Sequence, residues 1–172
     1  MKYFTKTALI AGAFFLAACD PNSRFDNPNG TAGTGAGTGE FETGGLGSAS
    51  DPASPEYFSQ FVGDSVVFLV NEYTLTSAAR AVLAQQAEWL IDNASYNAIV
   101  QGHADERGTR EYNLALGDRR ANSARDYLLS LGVDAGRVKT VSYGKERPAQ
   151  LCSDESCYSQ NRRAVSVLVV GQ

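Results

Sequence analysis

The chain has 172 residues and a formal net charge of −4, with 43% hydrophobic and 20% charged residues. That length supports one domain with a proper core, and the acidic balance argues against nucleic acid or an anionic membrane surface as a partner. Three cysteines and one histidine confine metal and thiol chemistry to a few positions.

Lys2 and Lys6 precede an uncharged apolar stretch from Ala8 to Ala18. It falls short of the about 20 residues that a spanning helix needs, and it reads as an export signal to be set aside before the fold is considered. Its end, Leu16-Ala17-Ala18-Cys19, looks like the lipobox read by lipoprotein signal peptidase. A thiol at the cleavage point accepts a diacylglycerol, and small residues before it fit the peptidase. Residues 1–18 are therefore assigned to a signal peptide and Cys19 to lipidation. Removing 18 of the 172 residues leaves 154 and takes away two lysines and no acid, so the net charge moves from −4 to −6. Several acyl chains, at ~0.8 kcal/mol per buried methylene, make a stable anchor. With no second apolar run of spanning length, lipid is the only membrane attachment expected.

Residues 19–54 have the composition of a linker. Positions 30–39 contain only Gly, Thr and Ala, and Gly44, Gly45, Gly47 and Ser48 continue the bias. So few apolar side chains cannot offset the entropy of ordering, which predicts a disordered tether. About 35 such residues average ~33 Å end to end and stretch to ~120 Å.

From Pro55 to Gln172 the pattern becomes that of a folded α/β (α+β) domain. Asp64 to Val70 is a continuous apolar strand. Thr76 is a candidate N-cap, followed by Ala79, Val82, Leu83, Ala87 and Leu90 at helical spacing. Tyr96 to Gly102 reads as a strand. A second helix starts near Thr109 with Leu114, Gly117, Ala121, Ala124 and Leu128 along one face, and Gly132 ends it. Arg137 to Tyr143 and Ala164 to Val170 complete the strands. The order β-α-β-α-β-β predicts a mixed four-stranded sheet with two main helices packed on one face. Between the last two strands, Cys152 and Cys157 enclose four residues. In an exported protein this spacing predicts a loop-closing disulfide. Zinc is the rival, but no further Cys or nearby His completes a ligand set.

The densest polar stretch is GHADERGTREYNLALGDRRA, residues 102–121, where a strand runs into a helix. Strand ends of this kind commonly hold ligand sites in α/β folds. Together with SQNRRAVSVLV at 159–169, it resembles the OmpA-like peptidoglycan-binding family over roughly residues 57–170, and within that family the peptidoglycan-associated lipoproteins. The resemblance implies a non-covalent site for diaminopimelate of the peptidoglycan stem peptide, whose free end carries an ammonium and a carboxylate. The family's acid falls on Asp105 and its arginine on Arg120, whose planar fork suits a carboxylate. With a helix starting at Thr109, Arg120 lies ~16 Å along its axis, so the two can share a site only if the intervening loop folds back. The family's first strand usually reads Phe-Asp-x-Asp. Here Phe68 is retained, while Leu69 and Asn71 replace the acids, so these positions serve only if their backbone does the work. Arg163 either lines the same site or salt-bridges at the start of the last strand.

By the same resemblance, the chain is a lipid-anchored tether between outer membrane and cell wall within the Tol-Pal system. It partners TolB and TolA and supports envelope integrity and constriction at cell division. The competing function is a periplasmic peptidoglycan hydrolase or amidase, which needs paired carboxylates or a zinc centre that these residues do not assemble; no cofactor or metal is expected. His103, the lone histidine, reads as structural. Asn113, unusual early in a helix, reads either as a hydrogen-bond partner of the neighbouring loop, the reading favoured, or as an ordinary polar surface residue. Asp20, directly after Cys19, retains lipoproteins in the inner membrane of some bacteria. The resemblance favours the outer membrane.

Overall fold

Trp89 determines where the folded domain begins. The computed structural model describes residues 48–171; the signal peptide, Cys19 and the linker before Ser48 lie outside them. The Trp89 side chain is buried, and a buried indole N–H needs an acceptor. It donates to the Pro52 carbonyl at 2.7 Å. Residues 48–54, which composition placed in the linker, therefore fold into turns against the domain, with Ser54 buried. Ser54 then accepts from the Tyr57 N–H at 3.0 Å and opens α1 (Pro55–Tyr57), which continues as a π-helical turn over Phe58–Gly63.

The first strand is shorter than its apolar run. β1 covers only Ser65–Val67, and Leu69 and Val70, expected inside it, are exposed. The chain leaves the sheet because two arginines capture its carbonyls, as described below. Thr76 caps α2 (Ser77–Asp92) by accepting from the Ala79 N–H. Ala79, Leu83, Ala87 and Leu90 face the core as their spacing requires. Gln86 is buried among them, donating to the Gly63 carbonyl and accepting from the Ser166 hydroxyl. Arg137 donates to the Leu90 and Asn93 carbonyls and so satisfies the end of α2.

β2 (Tyr96–His103) leads to α3 (Arg110–Ser130), whose N-cap is Thr109. The expected apolar stripe needs one correction. Leu114 is exposed and Leu116 is buried, while Asn113 and Arg120 join Gly117, Ala121, Ala124 and Leu128 on the inner face. Leu114 lies on the flank beside β3 (Val138–Gly144), an edge strand beyond which nothing among the described residues covers the helix. A second correction falls between the last two strands. A short helix, α4 (Glu155–Asn161), capped by Asp154, precedes β4 (Arg163–Val170). Seven mostly polar residues carry no helical stripe, so the segment read as loop. The expected disulfide joins Cys152 to Cys157, across the start of α4.

The sheet order is β1-β4-β2-β3, with β4 antiparallel to both neighbours and β2 parallel to β3. This is the mixed four-stranded sheet expected, with α2 and α3 sharing one core over one face. α3 approaches β2 backbone to backbone. A Cβ at Gly102 would stand 1.8 Å from the Gly117 carbonyl oxygen, and one at Gly117 would meet Ser142 Oγ at 2.4 Å. The glycine pair sets how close Arg120, one turn on, comes to the end of β2. Among the described residues, no helix is long and apolar enough to cross a membrane.

Candidate functional site

Residues 104–109 link the end of β2 to α3, and three contacts fold them back along the helix. Asn113 Nδ2 donates to the Arg107 carbonyl at 2.8 Å, which answers what an asparagine does there. Lys145 Nζ donates to the Glu106 and Gly108 carbonyls, and Gly108 turns with φ +92°. This is the fold-back that Arg120 requires if it is to share a site with Asp105.

Arg120 is fully buried, with 0% exposure. Its Nε donates to the Glu72 carbonyl (2.8 Å), Nη1 to the His103 carbonyl (2.8 Å) and Nη2 to the Leu69 carbonyl (3.1 Å). The guanidinium carbon lies 5.3 Å from the Phe68 ring centre. Burial lowers its pKa to about 10 against the pull of Asp105, so it remains charged at neutral pH. Asp105 is nearly buried and pairs elsewhere. Its Oδ2 accepts from Arg107 Nη2 at 2.7 Å and Arg162 Nη1 at 3.2 Å, and its Oδ1 from the Arg107 N–H at 3.1 Å. Burial alone would push this carboxyl up. The hydrogen bonds from Arg107 and Arg162 outweigh it and hold the group below the usual carboxylate range. The structure thus brings Asp105 and Arg120 to one strand end without an ion pair between them.

The 68–72 turn is built on backbone. Arg162 Nε donates to the Phe68 carbonyl at 3.2 Å, so three inward carbonyls, those of Phe68, Leu69 and Glu72, are held by two buried arginines. Across a trans peptide the next N–H points the opposite way. The Leu69 and Val70 N–H groups therefore face outward, and neither meets an acceptor among the described residues. Leu69 contributes its carbonyl while its side chain lies in solvent. Asn71 adopts φ +57°, a left-handed conformation that asparagine tolerates better than most residues. Phe68 is buried under Arg120.

Arg163 lies apart from this cluster. Its Nη1 reaches the Asn161 carbonyl and its Nη2 the Arg147 carbonyl, both at 3.4 Å. Arg162, which sequence reasoning passed over, supplies the buried cation paired with Asp105. The signal was available: Ala164 and Ser166 are the buried positions of β4, and a period of two puts Arg162, not Arg163, on their side. Arg107 was also missed, and with it Glu155 and Tyr158 of α4. Glu155 accepts from Arg162 Nη2 at 2.5 Å, and Arg107 lies 4.7 Å over the Tyr158 ring.

His103 is buried against Tyr143, and among the described residues neither ring nitrogen has a hydrogen-bond partner. Burial, reinforced by Arg163, lowers its pKa to about 4, so it is neutral at pH 7 and contributes its carbonyl to Arg120. The group of described residues best spaced for a metal is Cys152, Asp154 and Cys157, and the disulfide already consumes both thiols. A groove lined by Tyr57, Phe61 and Trp89 lies at the other end of the sheet, where Trp89 meets Tyr96.

A profile of the OmpA family matches residues 67–162. The peptidoglycan-associated lipoprotein of Rhizobium meliloti is 47% identical over 160 residues, covering 93% of this chain and 86% of that protein. Its counterpart in Agrobacterium fabrum is 48% identical over 167 residues, covering 97% and 90%. Among solved structures, the peptidoglycan-associated lipoprotein from Burkholderia pseudomallei superposes with a TM-score of 0.63 at 40% identity, covering 70% of this chain and 98% of that one. The matched segment runs from the end of β1 to the start of β4 and contains Phe68, Asp105, Arg120 and Arg162, and on this ground the chain belongs to the OmpA family.

Proposed function

We propose that the chain binds peptidoglycan without chemical change, at the strand end where Asp105, Arg120 and the 68–72 turn meet. One observation carries this reading. Arg120 holds a buried positive charge on three backbone carbonyls, and no carboxylate among the described residues lies within 4.0 Å of it. The same carbonyls aim the Leu69 and Val70 N–H groups outward. A ligand carboxylate is thus offered outward N–H groups backed by a charge, and its ammonium is offered Asp105. Diaminopimelate in the stem peptide has both groups at one end. Because N–H groups do the work, Leu69 and Asn71 are compatible with the site although the family's acids are missing.

The relatives are named as peptidoglycan-associated lipoproteins, which supports extending the reading to the envelope. Cys19 carries the lipid, residues 20–47 form the tether, and the domain joins the outer membrane to the wall from the periplasmic side. TolB and TolA are its protein partners in the Tol-Pal system, and the bridge supports envelope integrity and constriction at division. The hydrolase reading finds little support in the site. Its one histidine is buried, and Asp105 is held between Arg107 and Arg162.

The test is incubation of the full chain with purified sacculi. The expected result is protein that sediments with the sacculi while no soluble muropeptide appears. Release of soluble fragments would replace binding with hydrolysis.

A further inference from the structure

Four charged side chains close into a ring at the rim of the site. Asp105 Oδ2 accepts from Arg107 Nη2 at 2.7 Å and Arg162 Nη1 at 3.2 Å. Glu155 faces the same arginines from the other side, with Oε1 2.5 Å from Arg162 Nη2 and Oε2 3.6 Å from Arg107 Nη2. The members differ in access. The side chains of Asp105 and Arg162 are 10% and 6% exposed, whereas those of Arg107 and Glu155 are 46% and 58% exposed. Asp105 is therefore the ring's fixed acid, and Glu155 is the one that faces water.

Glu155 presents one carboxylate to the ends of two guanidinium groups, which is how a bound carboxylate ligand would sit. Its position is set from outside the ring: Asp154 caps α4 and the Cys152–Cys157 disulfide ties its first turn. Tyr158, one turn later, lies beneath Arg107 and keeps that guanidinium in place whichever carboxylate it meets.

We propose that Arg107 and Arg162 form a second carboxylate subsite, which Glu155 fills in the free protein and yields to the ligand. Given the peptidoglycan reading above, on which this inference rests, the ligand group is the terminal carboxylate of a stem peptide whose ammonium lies at Asp105. Replacing one carboxylate by another keeps the buried Arg162 paired throughout, so the exchange avoids the penalty of a stranded charge. The displaced Glu155 returns to solvent. The device is selective, because a neutral or amidated peptide end cannot compete with Glu155 for the two arginines.

Calorimetric titration of the detergent-solubilised full chain tests this. The probes are a diaminopimelate-containing stem tetrapeptide with a free terminal carboxylate and the same peptide as its terminal amide. Wild type is expected to prefer the acid roughly tenfold, as one charge-assisted contact requires. Glu155→Gln, which keeps the hydrogen-bond acceptor and removes the charge, is expected to bind the acid several-fold more tightly. Glu155→Asp should resemble wild type, and Arg107→Gln should lose the preference for the acid. Equal binding of acid and amide by wild type overturns the subsite and leaves the peptidoglycan reading intact. Weaker binding of both peptides by Glu155→Gln, in step with a lower melting temperature, also overturns it by making Glu155 a mere support. Failure of both peptides to bind wild type overturns both readings.

Discussion

The two ends of the sheet are held together by different physics. Where β2 begins, Phe58, Leu83, Trp89, Leu90 and Leu128 bury large apolar surfaces, and Arg137 satisfies the end of α2. Where β2 ends, the buried polar side chains include Asn113, Arg120, Asp105 and Arg162, whose partners are backbone carbonyls and one another. Apolar burial is tolerant and additive, whereas a buried polar network loses heavily when one member is removed. The first end maintains the fold; the second keeps charge under a surface turn.

The sharpest way to break this division is Arg120→Met, which removes the charged donors to the Leu69, Glu72 and His103 carbonyls. Urea unfolding is expected to show a loss of about 3–5 kcal/mol, and sacculus binding should disappear. At the other end, Leu128→Ala should cost about 2–4 kcal/mol by the same measurement, while the folded protein sediments with sacculi as wild type does. Binding lost by a folded Leu128→Ala would show that the ends are not separable.

Acid probes the polar end specifically. The His103 pKa is about 4 when folded and about 6.5 when unfolded. The unfolded chain therefore binds the extra proton between those values. The stabilisation is complete above pH 6.5 and is lost as the pH falls to about 4, by roughly 2–3 kcal/mol. Asp105, held low by its arginines, adds its loss only at still lower pH. His103→Phe should flatten the wild-type decline in stability between pH 6.5 and 4. The smallest effect expected is that of replacing Cys152 and Cys157 together by serine. A loop this short contributes about 2 kcal/mol at most in the chain-entropy picture, and thermal melting checks it.

The same contrast explains what could be read from the sequence. Apolar periodicity located α2, β2, α3 and β4 to within a residue or two, because burial of Leu83, Leu90 or Leu128 is a local property of spacing. It failed where the polar network governs. β1 stops at Val67 although the apolar run continues to Val70, because Arg120 and Arg162, 51 and 94 residues distant from their acceptors Leu69 and Phe68, draw the carbonyls out of the sheet. α4 has too few residues for a stripe. At the site, motif resemblance indicated Asp105, Arg120 and Phe68. Choosing between Arg162 and Arg163 required the facing of β4, which strand alternation carries but a motif does not.

The central claim is that Asp105 receives the ammonium of a peptidoglycan ligand, and Asp105→Asn tests it most directly. The amide keeps an oxygen to accept from the Arg107 N–H and removes the charge. Sedimentation with sacculi, measured beside the melting temperature, is expected to weaken by about 1.5–3 kcal/mol, roughly ten- to hundredfold, in a protein that remains folded. Folded Asp105→Asn that sediments as wild type does would contradict the account.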